Sequence, residues 1–394
     1  MRSIRRVALG PVLVGLLVAT SPIGALGQTP PGADAVVAWN ETAQNALITV
    51  AKQFQPQSFI YLGITQAAVY DAVVAILGGY QPYGAPLDPA PDASVDAAVA
   101  TAAHDVLVAY LPDQQADLDA ALAASLAAIP DGAAKDAGIT LGAASAAQMV
   151  AAEADAGLEA DIGFTMPAPG PGVFQLPADQ TPQTPWVGQM RPFMLDSADQ
   201  FLPGPPPALD SAAWATEFNE IKEMGGADST SRTPEQTLIG QFYSTNGAIQ
   251  YNTAYKQLVA DHGLGALDAA RLYAMGNMTA ADALIACMNA KYHYLFWRPA
   301  FSVPGADTDG NPDTAADPAW TPLIKTPNHP EYPANHGCFT GSQAAVLTAF
   351  LGTDQIDLDL TSSVTVDGMP TRHFATATDL TDEIENARTW GGVH

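Results

Sequence analysis

Residues 267–299 read LDAARLYAMGNMTAADALIACMNAKYHYLFWRP. No proline interrupts the stretch before Pro299, so it predicts one long helix from about Leu267 to Trp297. Pro299 ends that helix, because the residue before a proline avoids the helical region. Lys291 and Arg298 then lie seven residues apart, on one face and about two turns from each other. Two long cationic side chains converging on one point suit an oxyanion, and a pair of solvated surface residues is the plain alternative. Tyr292, Tyr294, Phe296 and Trp297 beside them read as helix-packing groups.

Outward from this stretch the pattern stays helical. Residues 36–157 read as successive amphipathic helices: Ile64, Ala68, Ala72 and Ile76 share a face, as do Val95, Val99, Val106 and Tyr110, and then Leu118, Leu122, Leu126 and Ile129. Gly78-Gly79, Pro112 and Pro130 separate them. The many alanines predict closely packed helices in a structural bundle without chemistry of its own. From Pro167 to Pro207 stand 11 of the 32 prolines, which excludes continuous helix. Phe174, Trp186, Phe193 and Phe201 in that segment point to a strap across a helical core, since free linkers are poor in aromatic residues. Helix resumes after Ser211, and Thr233, Pro234 and Gln236 make a capping box with proline at the first helical position. Alternation at Ile356, Leu358 and Leu360 predicts a small β-hairpin near 356–366. The expected fold is all-α, with helical regions over 28–166 and 208–394 joined by a proline-rich strap over 167–207.

A chain of 394 residues with 48% hydrophobic content has ample core-forming material, which excludes disorder over its length. The net charge of -26, from 41 acidic and 15 basic residues, argues against a nucleic-acid or anionic-membrane surface. Arg2, Arg5 and Arg6, the apolar run Val7–Val18 and Ala25-Leu26-Gly27 have the three-part layout of a secretory signal over residues 1–27, so the expected location is secreted or periplasmic. No later segment reads as a membrane span, so no stable membrane insertion is expected after cleavage. Loss of the signal removes three arginines and no acid, which makes the remaining cations the more informative. Cys287 and Cys338 are too few for a disulfide scaffold or a four-cysteine zinc site. The oligomeric state is left open, a homo-oligomer included.

Two further signals lie downstream. Pro333-Ala334-Asn335-His336-Gly337 is a turn into the apolar run Ala344–Leu351, and N–H groups at such a helix start can hold an anion beside a proton-shuttling His336. Arg388 closes a helix that begins with Asp379, Asp382 and Glu383. Gly391-Gly392 then lets the chain turn and bring His394 back towards the same place.

Lysine, six residues, then Arg-Pro; later Pro-x-x-His; later Arg, five residues, then His: this order resembles the superfamily of vanadium-dependent haloperoxidases and type 2 phosphatidic acid phosphatases. The family signatures K-x(6)-R-P, P-S-G-H and S-R-x(5)-H stand here as KYHYLFWRP (291–299), PANH (333–336) and ARTWGGVH (387–394). The resemblance implies that Lys291, Arg298 and Arg388 neutralise the oxygens of vanadate or phosphate, for which arginine's fork of donors is suited. It implies that His394 bonds vanadium or attacks phosphorus, that His336 is the acid–base histidine, and that a backbone N–H at Asn335 touches the anion. Vanadate is the implied cofactor, with hydrogen peroxide and halide as substrates of a haloperoxidase. The alternative is a phosphomonoesterase that takes a phosphate ester, with His394 as nucleophile. A third reading is a secreted helical protein with a degenerate oxyanion site.

This sequence departs from the signatures at three positions. Ala334 stands for serine and removes a hydroxyl worth about 1–2 kcal/mol in anion binding. Asn335 stands for glycine, and asparagine tolerates the left-handed backbone next best. Ala387 stands for the serine before the third-motif arginine. Family members continue past the final histidine, so a longer chain is expected. Asp307, Asp309, Asn311 and Asp313 resemble part of a calcium loop, but Pro312 intrudes and the downstream glutamate is absent, so a polar turn is expected. His293 and His329 lie close to the motifs and could tune the site or contact halide or peroxide, with structural roles as the default reading. If the motifs meet, the two sulfurs come near each other, either as a disulfide or as two buried thiols.

Overall fold

The computed structural model describes residues 33–362 and 370–394. The expected signal over 1–27 and part of the expected hairpin, 363–366, lie outside the described residues. The N-terminal part is helical: α1 (Ala33–Gln44) passes into a wider π turn (Asn45–Val50), followed by α2 (Gln55–Leu77), α3 (Val95–Tyr110), α4 (Gln115–Ala127) and α5 (Ala133–Glu153). The sequence pattern assigns α2 one apolar face, yet every residue from Ser58 to Val74 is buried. It is therefore the central helix of the bundle and not an amphipathic one. Its length and apolar composition would also let it cross a membrane, but 89% of its most apolar window is buried inside the protein.

The abundance of small residues has a direct geometric cause. A Cβ on Gly138 or Gly142 of α5 would lie 2.4 Å from the carbonyl oxygen of Ser94 or Ala98, so α5 and α3 meet almost backbone to backbone. The Ser145 hydroxyl adds a bond to the Ala68 carbonyl of α2 at 2.7 Å.

Within residues 167–207 the chain is tied mainly to one later helix. Beyond this segment come α6 (Ala212–Met224), α7 (Pro234–Phe242), α8 (Gly247–Asp261), α9 (Ala266–Tyr294), the single turn α10 (Pro299–Ser302), α11 (Asn335–Leu351) and α12 (Ala377–Trp390). The capping box at Thr233 is present. Asp282 of α9 accepts three backbone N–H bonds from the strap, from Phe193 (2.6 Å), Met194 (2.7 Å) and Leu195 (3.1 Å). Tyr292 donates to the Gln183 carbonyl at 2.6 Å, and Asn289 to that of Gly188 at 2.8 Å. Phe174, Trp186 and Phe193 are buried, whereas Phe201 is 69% exposed and holds nothing down.

Helix α9 stops three residues before the expected Trp297. Leu295 takes a left-handed conformation at its C-cap (φ 49°), and Phe174 of the strap donates its N–H to the Leu295 carbonyl at 2.7 Å. Phe296 and Trp297 leave the helix to pack around Trp214 in a second, smaller core, with ring centroids 5.5 and 6.1 Å away. Between α11 and α12, β1 (Gln355–Thr361) pairs antiparallel with β2 (Thr371–Thr376). Ile356, Leu358 and Leu360 face inward as their alternation predicts, while the partner strand comes later than expected. The 307–313 loop is a polar tie: Asp309 accepts from Trp214 Nε1 at 3.0 Å and from Thr314, and Asn311 donates to the Leu209 and Ser211 carbonyls.

Candidate active site

The first two cations meet by a different route from the one their spacing suggests. Lys291 is in the last turn of α9, whereas Arg298 is the extended residue (φ -88°, ψ 154°) capping α10, so they do not share a helix face. The left-handed turn at Leu295 swings the chain round and returns Arg298 to the end of α9. Both side chains are wholly buried. Lys291 Nζ donates to the carbonyls of Pro330 (2.8 Å) and Glu331 (2.6 Å). Arg298 donates through Nε to the His329 carbonyl (2.9 Å) and through its two amino groups to Val393 O (2.6 Å), His394 Nε2 (3.1 Å) and His329 Nδ1 (3.0 Å).

The second motif begins α11. Ala334 is its N-cap and offers no side-chain bond to the first-turn N–H groups, which is the local cost of the missing serine. Asn335 is the first helical residue and has no positive φ, so the left-handed backbone expected there is not adopted. Its amide nitrogen is 3.6 Å from Met288 Sδ and 3.5 Å from His329 Nε2. His336 is one residue further on, partly buried, with its ring against Phe339 at 5.1 Å.

The third motif arrives through α12, started by the Thr376–Asp379 capping box. Arg388, in its last turn, donates to the Tyr243 carbonyl at 3.2 Å. Gly391 caps the helix and Gly392 turns the chain at φ 75°. A Cβ on Gly392 would lie 2.2 Å from the Gly225 carbonyl oxygen, so only glycine lets these two segments touch. The turn delivers His394 to Arg298.

His394 is fixed from both sides. Nδ1 is 2.6 Å from Glu331 Oε1, and Nε2 faces the Arg298 amino group, which can only donate. Nε2 therefore accepts, and Nδ1 carries the proton and donates to the Glu331 carboxylate. Burial, followed by Arg298, Lys291 and Arg388, holds the imidazole well below its ordinary pKa. Burial and then Arg388 do the same to His336, so both rings are neutral at neutral pH. Burial raises the Glu331 carboxyl, opposed by Lys291 and Arg298. Burial also pushes Lys291 down to about 7, Arg298 to about 10 and Arg388 to about 9, with Arg298 adding to the first and the last.

Three cations are thus buried in this region, and none of them makes a salt bridge among the described residues; the Glu331 carboxylate is bonded to His394 instead, and Lys291 and Arg298 spend their donors on carbonyls and histidine nitrogens. Among the described residues, Arg388 Nε and His336 Nε2 are buried without a partner. Leaving a buried charged donor unsatisfied costs on the order of 1–3 kcal/mol or more, which an anion would recover. A cavity of about 290 Å³ opens beside them, lined by Lys325, His329, Asn335, His336, Arg388 and the strap residues Gln183 and Thr184, among others. These donors fit a tetrahedral or trigonal oxyanion. His394 lines a different cavity, of about 560 Å³, with Glu217, Glu331, Trp214 and Trp297, and Arg298 bridges His329 on one side to His394 on the other.

Sequence reasoning missed Glu331, because one acid among 41 carries no signal. For His329 it left a structural and a site-tuning role open, and the ring accepts from Arg298. The Pro330, Val393 and Tyr243 carbonyls are main-chain groups with no sequence signature.

Comparison with known proteins adds an independent line. Residues 271–394 match the family described as the VCPO second helical-bundle domain. The chain is 27% identical over 277 residues to the vanadium chloroperoxidase of Curvularia inaequalis, a match covering 53% of this chain and 45% of that protein. The chain therefore corresponds to less than half of that relative's length. The crystal structure of the first bacterial vanadium-dependent iodoperoxidase superposes with a TM-score of 0.75 at 21% identity, covering 95% of this chain and 92% of that one. A holo-type bacterial vanadium-dependent chloroperoxidase gives 0.69 at 17% identity over 91% and 92%. At these identities the solved structures share a fold with this chain. Residues 271–394, which carry all three motifs, thus match the VCPO second helical-bundle domain, and the chain as a whole shares the fold of the solved vanadium-dependent haloperoxidases.

Proposed function

We propose that the protein is a vanadate-dependent haloperoxidase, in which hydrogen peroxide, a halide ion and a proton give hypohalous acid and water. The observation that carries this reading is the burial of three cations, Lys291, Arg298 and Arg388, beside a single buried carboxylate, Glu331, with Arg388 Nε left without a partner among the described residues. Those three side chains, with the N–H groups at the start of α11 around Asn335, would hold the oxyanion, and the His394 Nε2 lone pair, which here accepts from Arg298, would bond the metal in place of that contact. Bound vanadate supplies a Lewis-acidic centre that activates peroxide towards halide. Glu331 holds the His394 proton on Nδ1, which keeps Nε2 free of one. Neutral His336 can take a proton from peroxide at Nε2, which has no other partner among the described residues. The leader-like residues 1–27 support a place outside the cytoplasm.

A second reading rests on the Glu331–His394 bond. A neutral imidazole with its proton fixed on Nδ1 also suits attack on phosphorus, so phosphate-ester hydrolysis is the alternative activity. The deciding experiment is peroxide-dependent bromide oxidation while orthovanadate is titrated in. A rate that rises and saturates supports the haloperoxidase; no rate, with hydrolysis of a phosphate ester instead, replaces it with the phosphatase. Failure of both leaves a degenerate site. Sulfate, which does not titrate near neutrality, tests the cation cluster separately. Its affinity should fall as pH rises through about 7, where Lys291 loses its proton, and a flat profile would exclude Lys291 from anion binding.

A further inference from the structure

Cys287 lies one helical turn before Lys291 on α9, and Cys338 lies two residues after His336 in the first turn of α11. Both are free cysteines, and their sulfurs are 2.7 Å apart, so nothing stands between them. Cys287 is sealed in the core at 2% exposure, with Sγ 3.6 Å from the Pro333 carbonyl, whereas Cys338 is more accessible. A buried thiol touching a more accessible one, beside a site that handles peroxide, is the arrangement of an attacked and a resolving cysteine.

We infer that Cys287 and Cys338 are a peroxide-reactive dithiol that closes reversibly to a disulfide, stapling the Lys291 turn of α9 to the His336 turn of α11. The step needs no metal. The Cys338 sulfur attacks one oxygen of hydrogen peroxide, the O–O bond breaks, and the thiol proton leaves with the departing oxygen as water, giving a sulfenic acid. Cys287 sulfur then displaces hydroxide from that sulfur; its own proton joins the hydroxide as a second water, and the S–S bond forms. Two thiols are oxidised, and one peroxide is reduced to two waters. The environment favours this division of roles. The contact with Cys287, together with Lys291, lowers the Cys338 thiol against its burial, while burial raises that of Cys287. The bridge would fix the separation of the two turns that carry Lys291 and His336, and a thiol reductant would release it.

The inference depends on the haloperoxidase reading only for the natural supply of peroxide, so the test uses vanadium-free protein and added peroxide. Fully reduced folded protein is exposed to hydrogen peroxide, then alkylated with iodoacetamide under denaturing conditions, and its intact mass is measured. The expected result is loss of both alkylation sites, a mass lower by two hydrogens, a peptide linking Cys287 to Cys338, and return of both sites after dithiothreitol. In the Cys287→Ser variant, Cys338 should instead accumulate a sulfenic acid that dimedone traps. Both thiols still alkylated after peroxide, oxygen adducts without a bridge in the unaltered protein, or a bridge that dithiothreitol cannot open in the folded state would each overturn the inference.

Discussion

Helices α2 and α12 each bury a charged side chain, and they do so in opposite ways. On α2, Asp71 is buried but closed off, accepting the backbone N–H groups of Tyr83 (2.6 Å) and Gly84 (2.9 Å), and the Thr65 hydroxyl returns to the Tyr61 carbonyl at 2.8 Å. On α12, Arg388 has one carbonyl and an unpartnered Nε, in the company of two more buried cations. Polar burial that is locally closed builds a scaffold, whereas polar burial left open, with charge of one sign, marks the place of a ligand.

The sharpest way to break this comparison is Arg298→Ala. It removes one of the three buried cations and, with it, up to two charged donors to the anion at about 1.5–3 kcal/mol each, so orthovanadate affinity should fall by about 10²–10⁴-fold, measured by calorimetry. Unchanged affinity would mean that the cluster is structural. The converse test is Gly142→Val, where the new side chain meets the Ala98 carbonyl. Denaturant unfolding should show a loss of about 1–3 kcal/mol, while the folded protein binds oxyanion as before. A change in affinity there would show that the N-terminal scaffold and the site are not separable.

Ala334→Ser sharpens the comparison from the other side, since it restores a cap to α11 and a hydroxyl near the anion donors. Stability should rise by about 1 kcal/mol, seen as a higher denaturant midpoint. The smallest effect lies at His104, whose imidazole is 2.7 Å from Asp105 and 2.9 Å from Asp119. The bond to Asp105 leads in raising its pKa, against burial, so its contribution is fully present below the ordinary value of about 6.5 and is lost as pH rises through the raised one. His104→Gln should therefore cost about 0.5–1 kcal/mol at about pH 5 and little at about pH 9, by thermal unfolding at each pH.

What the sequence shows and what it hides follow from the same physics. Period and punctuation act through neighbouring residues, so the helices after Ser211 and Thr233 and the inward face of β1 were legible. The end of α9 was not, because Leu295 turns left-handed to meet the strap residue Phe174, more than a hundred positions away. The motif residues were visible as types and spacings. Their partners were hidden, since carbonyls at Pro330, Val393 and Tyr243 have no letter of their own and Glu331 looks like any other acid in an acidic chain.

The contact between Gly225 and Gly392 bears on how this protein can change over generations. Two bare backbone segments touch there, and any side chain on Gly392 would displace the last turn of the chain, carrying the His394 imidazole with it. Neither glycine has a functional group, and a survey of reactive side chains would pass over both. Their tolerance to substitution should nevertheless be as narrow as that of the histidine they steer, so lineages that lose the chemistry have a route that leaves every reactive residue in place.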